Sequence, residues 1–291
     1  MKDCLTLLNG RLTEKQKDAY WNDGYLFPID VADPSQTKLW RSALEQIEHD
    51  WLDNGLPLPL NTYKRVNAQV VMPLACEIGL HGPILDAVEG VLGPDVMLYS
   101  VEFLTKEAHT KHMVTMHQDL AYWGMGDMDN ILTAWLALSP ATTASGCMDF
   151  VQGSHKNEIL DHRDSFDKHN LLSRGQEIAV DVTDADKVAV ELSPGSMSLH
   201  HGLTVHGSGP NQSNDRRIGV AIRYVSAKMR KAGGVKDYAI SARGTFSDES
   251  FATYDPPVAL FDANSLGLYE EIRAEQAKVM MAGAQKGSAI Y

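Results

Sequence analysis

Three cysteines in 291 residues, Cys4, Cys76 and Cys147, are too few and too far apart for a disulfide framework, and none belongs to a CxxC pair. A stapled secreted fold and a thiolate zinc site are thereby excluded, and reduced thiols in a cytoplasm are expected. No apolar run approaches the ~20 residues that span a bilayer. The short apolar patch within 1–10 is followed by polar, helix-like sequence without a small-residue cleavage site, so neither a membrane partner nor a signal peptide is expected. Basic residues are in deficit. The 26 Lys and Arg against 38 Asp and Glu leave a net charge of −12, and no basic block interrupts the acidic balance. A nucleic-acid partner, whose phosphates need a basic surface, is excluded. Repeats, low-complexity linkers and breaks in composition are also missing, so one domain across 1–291 is expected. The sequence leaves a monomer and a homo-oligomer both open.

What is present changes character along the chain. The first ~95 residues read as helical. Thr13-Glu14-Lys15-Gln16 is a capping-box pattern whose helix stops near Asp23-Gly24, and Asp33-Pro34 opens a second helix running to about Asn54-Gly55. A third covers Pro83 to Leu92. From about 96 to 226 the texture is that of short strands. Met97–Leu104, His112–Asp119, Ile131–Leu138, Cys147–Val151, Glu177–Val182, Val188–Leu192, Ser196–His201 and Ile218–Val225 are apolar runs divided by Gly, Pro, Asn and Asp. The stretch 227–291 reads as a loop followed by a helix from Ser265 to about Met281. The fold class is therefore mostly β with flanking α-helices: a double-stranded β-helix, or jelly roll, with a cupin-like core.

His117-Gln118-Asp119 is the sharpest chemical signal. Residues two apart on a strand share a face, so His117 and Asp119 can grip one ion. Imidazole plus carboxylate with open positions suits non-haem Fe(II). A second His-x-Asp, His162-Arg163-Asp164, lies in a charged stretch without a strand pattern and reads as a solvated loop. For a third ligand, the segment from His200 to Asn211 offers His200, His201 and His206. His200 and His201 are adjacent and point to opposite faces, so at most one joins His206, which is expected at the end of a strand. Arg217, Gly219, Ala221 and Arg223 share one face of the last core strand. An Arg at the mouth of a buried strand needs a partner, and a dicarboxylate matches its fork. A surface ion pair suits Arg216 better than Arg217.

These features resemble the phytanoyl-CoA dioxygenase family of Fe(II)/2-oxoglutarate-dependent oxygenases. That family carries His-x-Asp, a distal His in a segment like His206-Gly207-Ser208-Gly209-x-Asn211, and an Arg eleven residues beyond that His, here Arg217. It also carries a Trp eighteen residues after the first His, here Trp135. Ser145-Gly146-Cys147-Met148 and Gly153-Ser154-His155-Lys156 are similar to its Gly-rich stretch and its Pro-Gly-Ser-His, with Gln152 in place of the Pro. The likeness runs from about Leu12 to Val225.

The resemblance implies that His117, Asp119 and His206 hold iron, and that Arg217, helped by Ser208, holds the far carboxylate of 2-oxoglutarate. Trp135 and Tyr99 would line that pocket, and Lys64 or Arg65 would supply a further basic group. It implies an Fe(II)-dependent dioxygenase that uses O2 and 2-oxoglutarate to hydroxylate an aliphatic C–H of a small molecule, releasing succinate and CO2. Halogenating relatives have a small residue where this chain has Asp119, so hydroxylation is expected instead. For substrate contacts the candidates are Tyr122, Trp123, Arg65 and Arg223, each of which also has a plain structural reading as core cap or salt bridge. A small aminoalkyl- or trimethylammonio-alkylphosphonate is the expected substrate class. The competing readings are a cupin-type metalloenzyme without 2-oxoglutarate, a non-catalytic metal- or ligand-binding protein on the same fold, and a structural zinc protein. Segments 161–174 and 232–254 are expected as loops long enough to close over the site.

Overall fold

The computed structural model describes residues 10–122, 128–164, 169–171, 176–179, 182–230, 237–246 and 251–281, together with Leu5 and Leu7. Helix ends follow from their caps. In α1 (Glu14–Asp23), Thr13 Oγ1 accepts from the Gln16 amide at 3.3 Å and Gln16 Oε1 accepts from the Thr13 amide at 2.7 Å. The helix stops at Gly24, whose φ of 85° is left-handed. α2 (Pro34–Trp51) starts on Asp33, whose Oδ1 accepts from the Ser35 and Gln36 amides, and buries Trp40, Leu44 and Ile47 at helical spacing. α3 (Leu60–Arg65), α4 (Pro73–Gly79) and α5 (Gly82–Leu92) follow, and α6 (Ala263–Met281) comes after the last strand. α3 and α4 span six and seven residues, too short for a helical period to show in the sequence.

Thirteen strands are formed among the described residues. They are β1 (Tyr25–Asp30), β2 (Val96–Lys106), β3 (Val114–His117), β4 (Ile131–Ala137), β5 (Met148–Val151), β6 (His162–Asp164), β7 (Gln176–Ile178), β8 (Lys187–Val190), β9 (Ser196–His201), β10 (His206–Ser208), β11 (Arg217–Ser226), β12 (Asp237–Arg243) and β13 (Phe251–Thr253). A seven-stranded sheet runs β1-β9-β4-β11-β2-β12-β13 and faces a four-stranded sheet, β3-β10-β5-β8, while β6 and β7 form a hairpin. Every pair but β12–β13 is antiparallel. This is the jelly roll expected from the spacing of turn signals.

Side-chain alternation divides the large sheet between two cores. Leu132, Ala134 and Leu136 of β4 and Ile218, Val220 and Ile222 of β11 point outward and pack with Trp40, Leu44 and Ile84 of the helices. Trp135, Ala137 and Ala221 point inward and pack with Met148, Phe150 and Val190 of the small sheet. Strands covered on both faces read as continuous apolar runs, which is why β4 and β11 are plain in the sequence.

Four expectations are corrected. The N-terminal part is not all helical: β1 belongs to the large sheet. Its Pro28 disguises it, and the sheet tolerates that Pro because β1 is an edge strand, where a missing amide donor breaks no ladder. The stretch 227–291 is not loop and helix alone, since β12 and β13 extend the sheet. His162-Arg163-Asp164 is a strand, not a solvated loop, and the His162 ring is half-buried with Nδ1 2.7 Å from the Leu160 carbonyl. The described parts of 161–174 and 232–254 carry strands, which argues against treating either as a simple flap; the remainder lies outside the described residues.

Candidate active site

Pairing within the small sheet brings His117, at the end of β3, directly opposite His206, at the start of β10. Their ring centroids are 4.2 Å apart. Asp119 is not on the strand as expected. β3 ends at His117, and Asp119 begins a short helical turn, Asp119–Tyr122, that still carries its carboxylate back to the rings. Asp119 Oδ1 lies 3.5 Å from His117 Nε2 and 3.9 Å from His206 Nε2. One ligand atom from each of the three buried residues lies within 4.8 Å of the others, close enough to share one metal ion.

Backbone carbonyls set the tautomers. His117 Nδ1 is 2.9 Å from the Thr115 carbonyl, and His206 Nδ1 is 2.9 Å from the Thr204 carbonyl. A carbonyl only accepts, so each Nδ1 donates and each Nε2 turns its lone pair inward. Burial, reinforced by His117, holds His206 well below the usual imidazole range. Burial alone would raise Asp119, but the charge of Arg223 and the neighbouring imidazoles outweigh it and hold the carboxyl well below its usual range. Neutral imidazoles with an ionised carboxylate are the donor set that a divalent cation requires.

The turn that carries Asp119 is braced by Gln118, which sequence reasoning passes over. Its Nε2 donates to the Leu203 carbonyl at 2.9 Å, its Oε1 accepts from the Leu160 amide at 2.8 Å, and its own amide donates to His162 Nε2 at 3.2 Å. The second His-x-Asp therefore supports the first. His200 faces inward and His201 outward, as alternation requires. The ring of His200 is 4.7 Å from that of His206, whereas His201 packs toward Trp21 and His155.

Farther along the same inner face lies a pair of buried cations. Arg217 is 1% exposed. It donates from Nη1 to the Gly146 carbonyl at 3.1 Å, and its guanidinium sits 5.2 Å from the Trp135 ring centroid. Gly219, opposite Ala137 and diagonal to Trp135 on the inner face, makes room for that indole: a Cβ there would lie 1.9 Å from Cζ2. Gly146 has a φ of 70°, and a Cβ would meet the Gly209 carbonyl at 2.3 Å. The turn is held against the cradle on the strength of that glycine. Lys106, which the sequence reading missed, is fully buried and paired in register with Arg217. Its Nζ donates to Ser208 Oγ at 2.7 Å and to the Gly209 carbonyl. Asn211 Nδ2 donates to the Lys106 carbonyl at 3.0 Å and fixes that strand end. Burial, with Arg217 nearby, pushes Lys106 down to about 6, and burial pushes Arg217 down to about 10. Among the described residues no carboxylate pairs with either cation. A buried guanidinium without an anion is costly alone, and an amine that gives up its proton beside it reflects the same missing charge, so the cradle fits a bound dianion.

The other candidates separate. Ser208 and Trp135 sit in the cradle. Tyr99 does not: its hydroxyl donates to Asp237 at 2.8 Å, and it precedes Lys106 on β2 by seven residues, about 23 Å of strand. Lys64 is paired with Glu48, and Arg216 forms the expected ion pairs, with Glu48 and Glu107 at 2.8 Å each. Arg223 is held by Glu102 at 2.6 Å and faces Asp119 at 3.9 Å, so it is not free for a substrate anion. Arg65 donates to the Leu171 carbonyl and has no carboxylate partner among the described residues. It lines a cavity of about 390 Å³ with Asn61, Lys64, Leu104 and Leu171. Tyr122 contributes backbone to the turn after Asp119; its side chain and all of Trp123 lie outside the described residues.

The arrangement has recognisable relatives. A family model described as phytanoyl-CoA dioxygenase (PhyH) matches residues 20–219. A probable phytanoyl-CoA dioxygenase of Caenorhabditis elegans is 26% identical over 160 residues, 53% of this chain and 51% of that protein. A probable alpha-ketoglutarate-dependent hypophosphite dioxygenase of Stutzerimonas stutzeri is 30% identical over 158 residues, 53% of this chain and 54% of that protein. The chain thus spans about half the length of the curated relatives it matches. Among solved structures, the apo form of the non-heme monooxygenase ThoJ superposes with a TM-score of 0.82 at 28% identity, covering 92% of this chain and 98% of that one. With the family model spanning most of the jelly roll and its motifs meeting in one site, this chain belongs to the phytanoyl-CoA dioxygenase family.

Proposed function

We propose that this chain is an Fe(II)/2-oxoglutarate-dependent hydroxylase of a small anionic molecule, and that it works as one catalytic domain. His117, Asp119 and His206 hold the iron, and Arg217, Lys106 and Ser208 hold the far carboxylate of 2-oxoglutarate. The observation that carries this is the pair of buried basic side chains, Lys106 and Arg217, on the large sheet's inner face, turned toward the small sheet that carries His117 and His206, with no protein anion paired to them among the described residues. When bound, iron with 2-oxoglutarate and O2 supplies the oxidising power and releases succinate and CO2. The chain's own part is orientation and exclusion. The carbonyls of Thr115 and Thr204 aim the imidazoles, the cations fix the cosubstrate, and Trp135 with Phe150 and Met148 forms an apolar wall that keeps water from the cradle. A carboxylate at Asp119, in place of a small residue, leaves no vacancy for chloride and favours hydroxylation.

The substrate reading rests on Arg65. Its guanidinium lines the cavity between α3 and β2, beside an apolar wall of Leu60, Leu104 and Leu171; Glu48 and Glu107, which also line it, are paired with Lys64 and Arg216, and among the described residues no carboxylate pairs with Arg65. A phosphonate or carboxylate head matches that fork. The similarity to a hypophosphite dioxygenase fits a phosphorus oxyanion, and aminoalkyl- and trimethylammonio-alkylphosphonates remain the first class to try. Incubation with Fe(II), 2-oxoglutarate, O2 and a panel of such phosphonates is expected to yield succinate in step with a hydroxylated product for at least one member. In Arg65→Ala, KM for that compound is expected to rise tenfold or more. Succinate at the same slow rate with and without every phosphonate would remove this substrate class.

A further inference from the structure

The large sheet turns one row of three polar side chains toward Asp119. In register, His200 of β9 stands opposite Thr133 of β4, and Thr133 stands opposite Arg223 of β11. All three converge on a single atom. Thr133 Oγ1 donates to Asp119 Oδ2 at 3.0 Å, while His200 Nε2 and Arg223 Nε lie 3.8 and 3.9 Å from the same oxygen. The other oxygen, Oδ1, faces His117 and His206. The carboxylate is thus divided between two sheets, with one oxygen turned to the small sheet's imidazoles and one tied to the large sheet.

We infer that the row Thr133–His200–Arg223 is a positioning device that holds back Asp119 Oδ2, so that the carboxylate offers one oxygen to the metal and a coordination position stays open for the reaction. This rests on the metal site proposed above. A free carboxylate turns about its terminal torsion with little resistance and can chelate through both oxygens. Chelation here would consume a position that cosubstrate or O2 needs. Thr133 opposes it with a hydrogen bond and Arg223 with its charge, and Arg223 is itself fixed by Glu102 at 2.6 Å. His200 closes the third side. It is 1% exposed, and among the described residues neither ring nitrogen has a hydrogen-bond partner. A side chain needed for packing alone would be apolar there, because a buried polar ring without a partner is unfavourable. Facing Asp119 Oδ2 gives the imidazole a role that Phe cannot fill. The row stands on three neighbouring strands of one sheet, which is the rigid support a positioned ligand needs.

The test uses the full chain, with Co(II) alone as the probe of coordination. Thr133→Val keeps the shape and removes the hydroxyl, Thr133→Ser returns it, and His200→Phe tests the third side independently. Wild type is expected to bind Co(II) with a visible d–d band. In Thr133→Val that band is expected to change in position and intensity, because a second carboxylate oxygen enters the coordination sphere. Thr133→Ser should restore both, and His200→Phe should move the band in the same direction. A band in Thr133→Val identical to wild type, or a Thr133→Ser indistinguishable from Thr133→Val, overturns the inference while leaving the metal site intact. Wild type that binds no Co(II) overturns the metal site itself and this inference with it. Were Thr133→Val not to fold, the His200→Phe band decides alone, and no change there counts against the row.

Discussion

Replacing Arg217 with methionine is expected to make the cosubstrate-free protein more stable and to destroy its affinity for 2-oxoglutarate. The guanidinium is buried and, among the described residues, is matched by one carbonyl and an indole face rather than by an anion. Exchanging buried ions for well-packed apolar side chains stabilises proteins by about 1–4 kcal/mol. Each kcal/mol shifts Tm by roughly 2–4 °C in a domain of this class. Binding moves the other way. Removing one partner of a buried charge pair costs about 2–5 kcal/mol, so affinity should fall roughly 30-fold or more. Thermal melts and calorimetric titration of the same two proteins check both halves. A lower Tm with unchanged 2-oxoglutarate affinity would make Arg217 a structural residue and empty the cradle of its meaning.

The second large effect is in pH. Burial lowers Lys106 to about 6 in the cosubstrate-free protein. The unfolded chain keeps that proton to the ordinary lysine value near 10.4. Between those values the unfolded state binds more protons than the native state, so Lys106 makes native stability rise with pH through that window. Binding has the opposite slope. A dianion favours the charged amine, so above pH 6 the complex must take up a proton, and affinity for 2-oxoglutarate should fall as pH rises. Calorimetry in buffers of different ionisation enthalpy should detect about one proton taken up on binding at pH 8, and none in Lys106→Met. Equal proton uptake in the variant would assign the titration elsewhere.

The sequence made the centre of this site legible because its pieces are local or spaced by strands. His117 and Asp119 are two residues apart, and the alternation of β11 puts Arg217, Gly219, Ala221 and Arg223 on one face. Even so, the periodic argument for Asp119 holds only in its outcome. The strand ends at His117, and a helical turn completes the approach. Lys106 was hidden because its meaning is non-local: it reads as the polar end of an apolar strand until β2 is registered against β11 and it falls beside Arg217. The same register puts Lys106, in place of Lys64 or Arg65, as the further basic group of the cosubstrate pocket. Gln118 and Thr133 were invisible for the same reason, since nothing in a Gln or a Thr within a strand region announces a buried acceptor across the barrel. β1 was missed through Pro28, and β12 and β13 through the polar sequence around them. Arg223 was correctly placed on the inner face, but its partner Glu102 comes from a neighbouring strand, and pairing across a sheet cannot be read from one strand.

The deciding measurement is an anaerobic titration with 2-oxoglutarate of the full chain loaded with Fe(II), followed by visible absorption, for wild type, Arg217→Ala and Asp119→Ala. A charge-transfer band that saturates in wild type, needs far more 2-oxoglutarate in Arg217→Ala and is missing in Asp119→Ala is the expected result. Iron bound by the wild type with no band at any 2-oxoglutarate concentration would contradict it and leave a metal-binding jelly roll that does not use this cosubstrate.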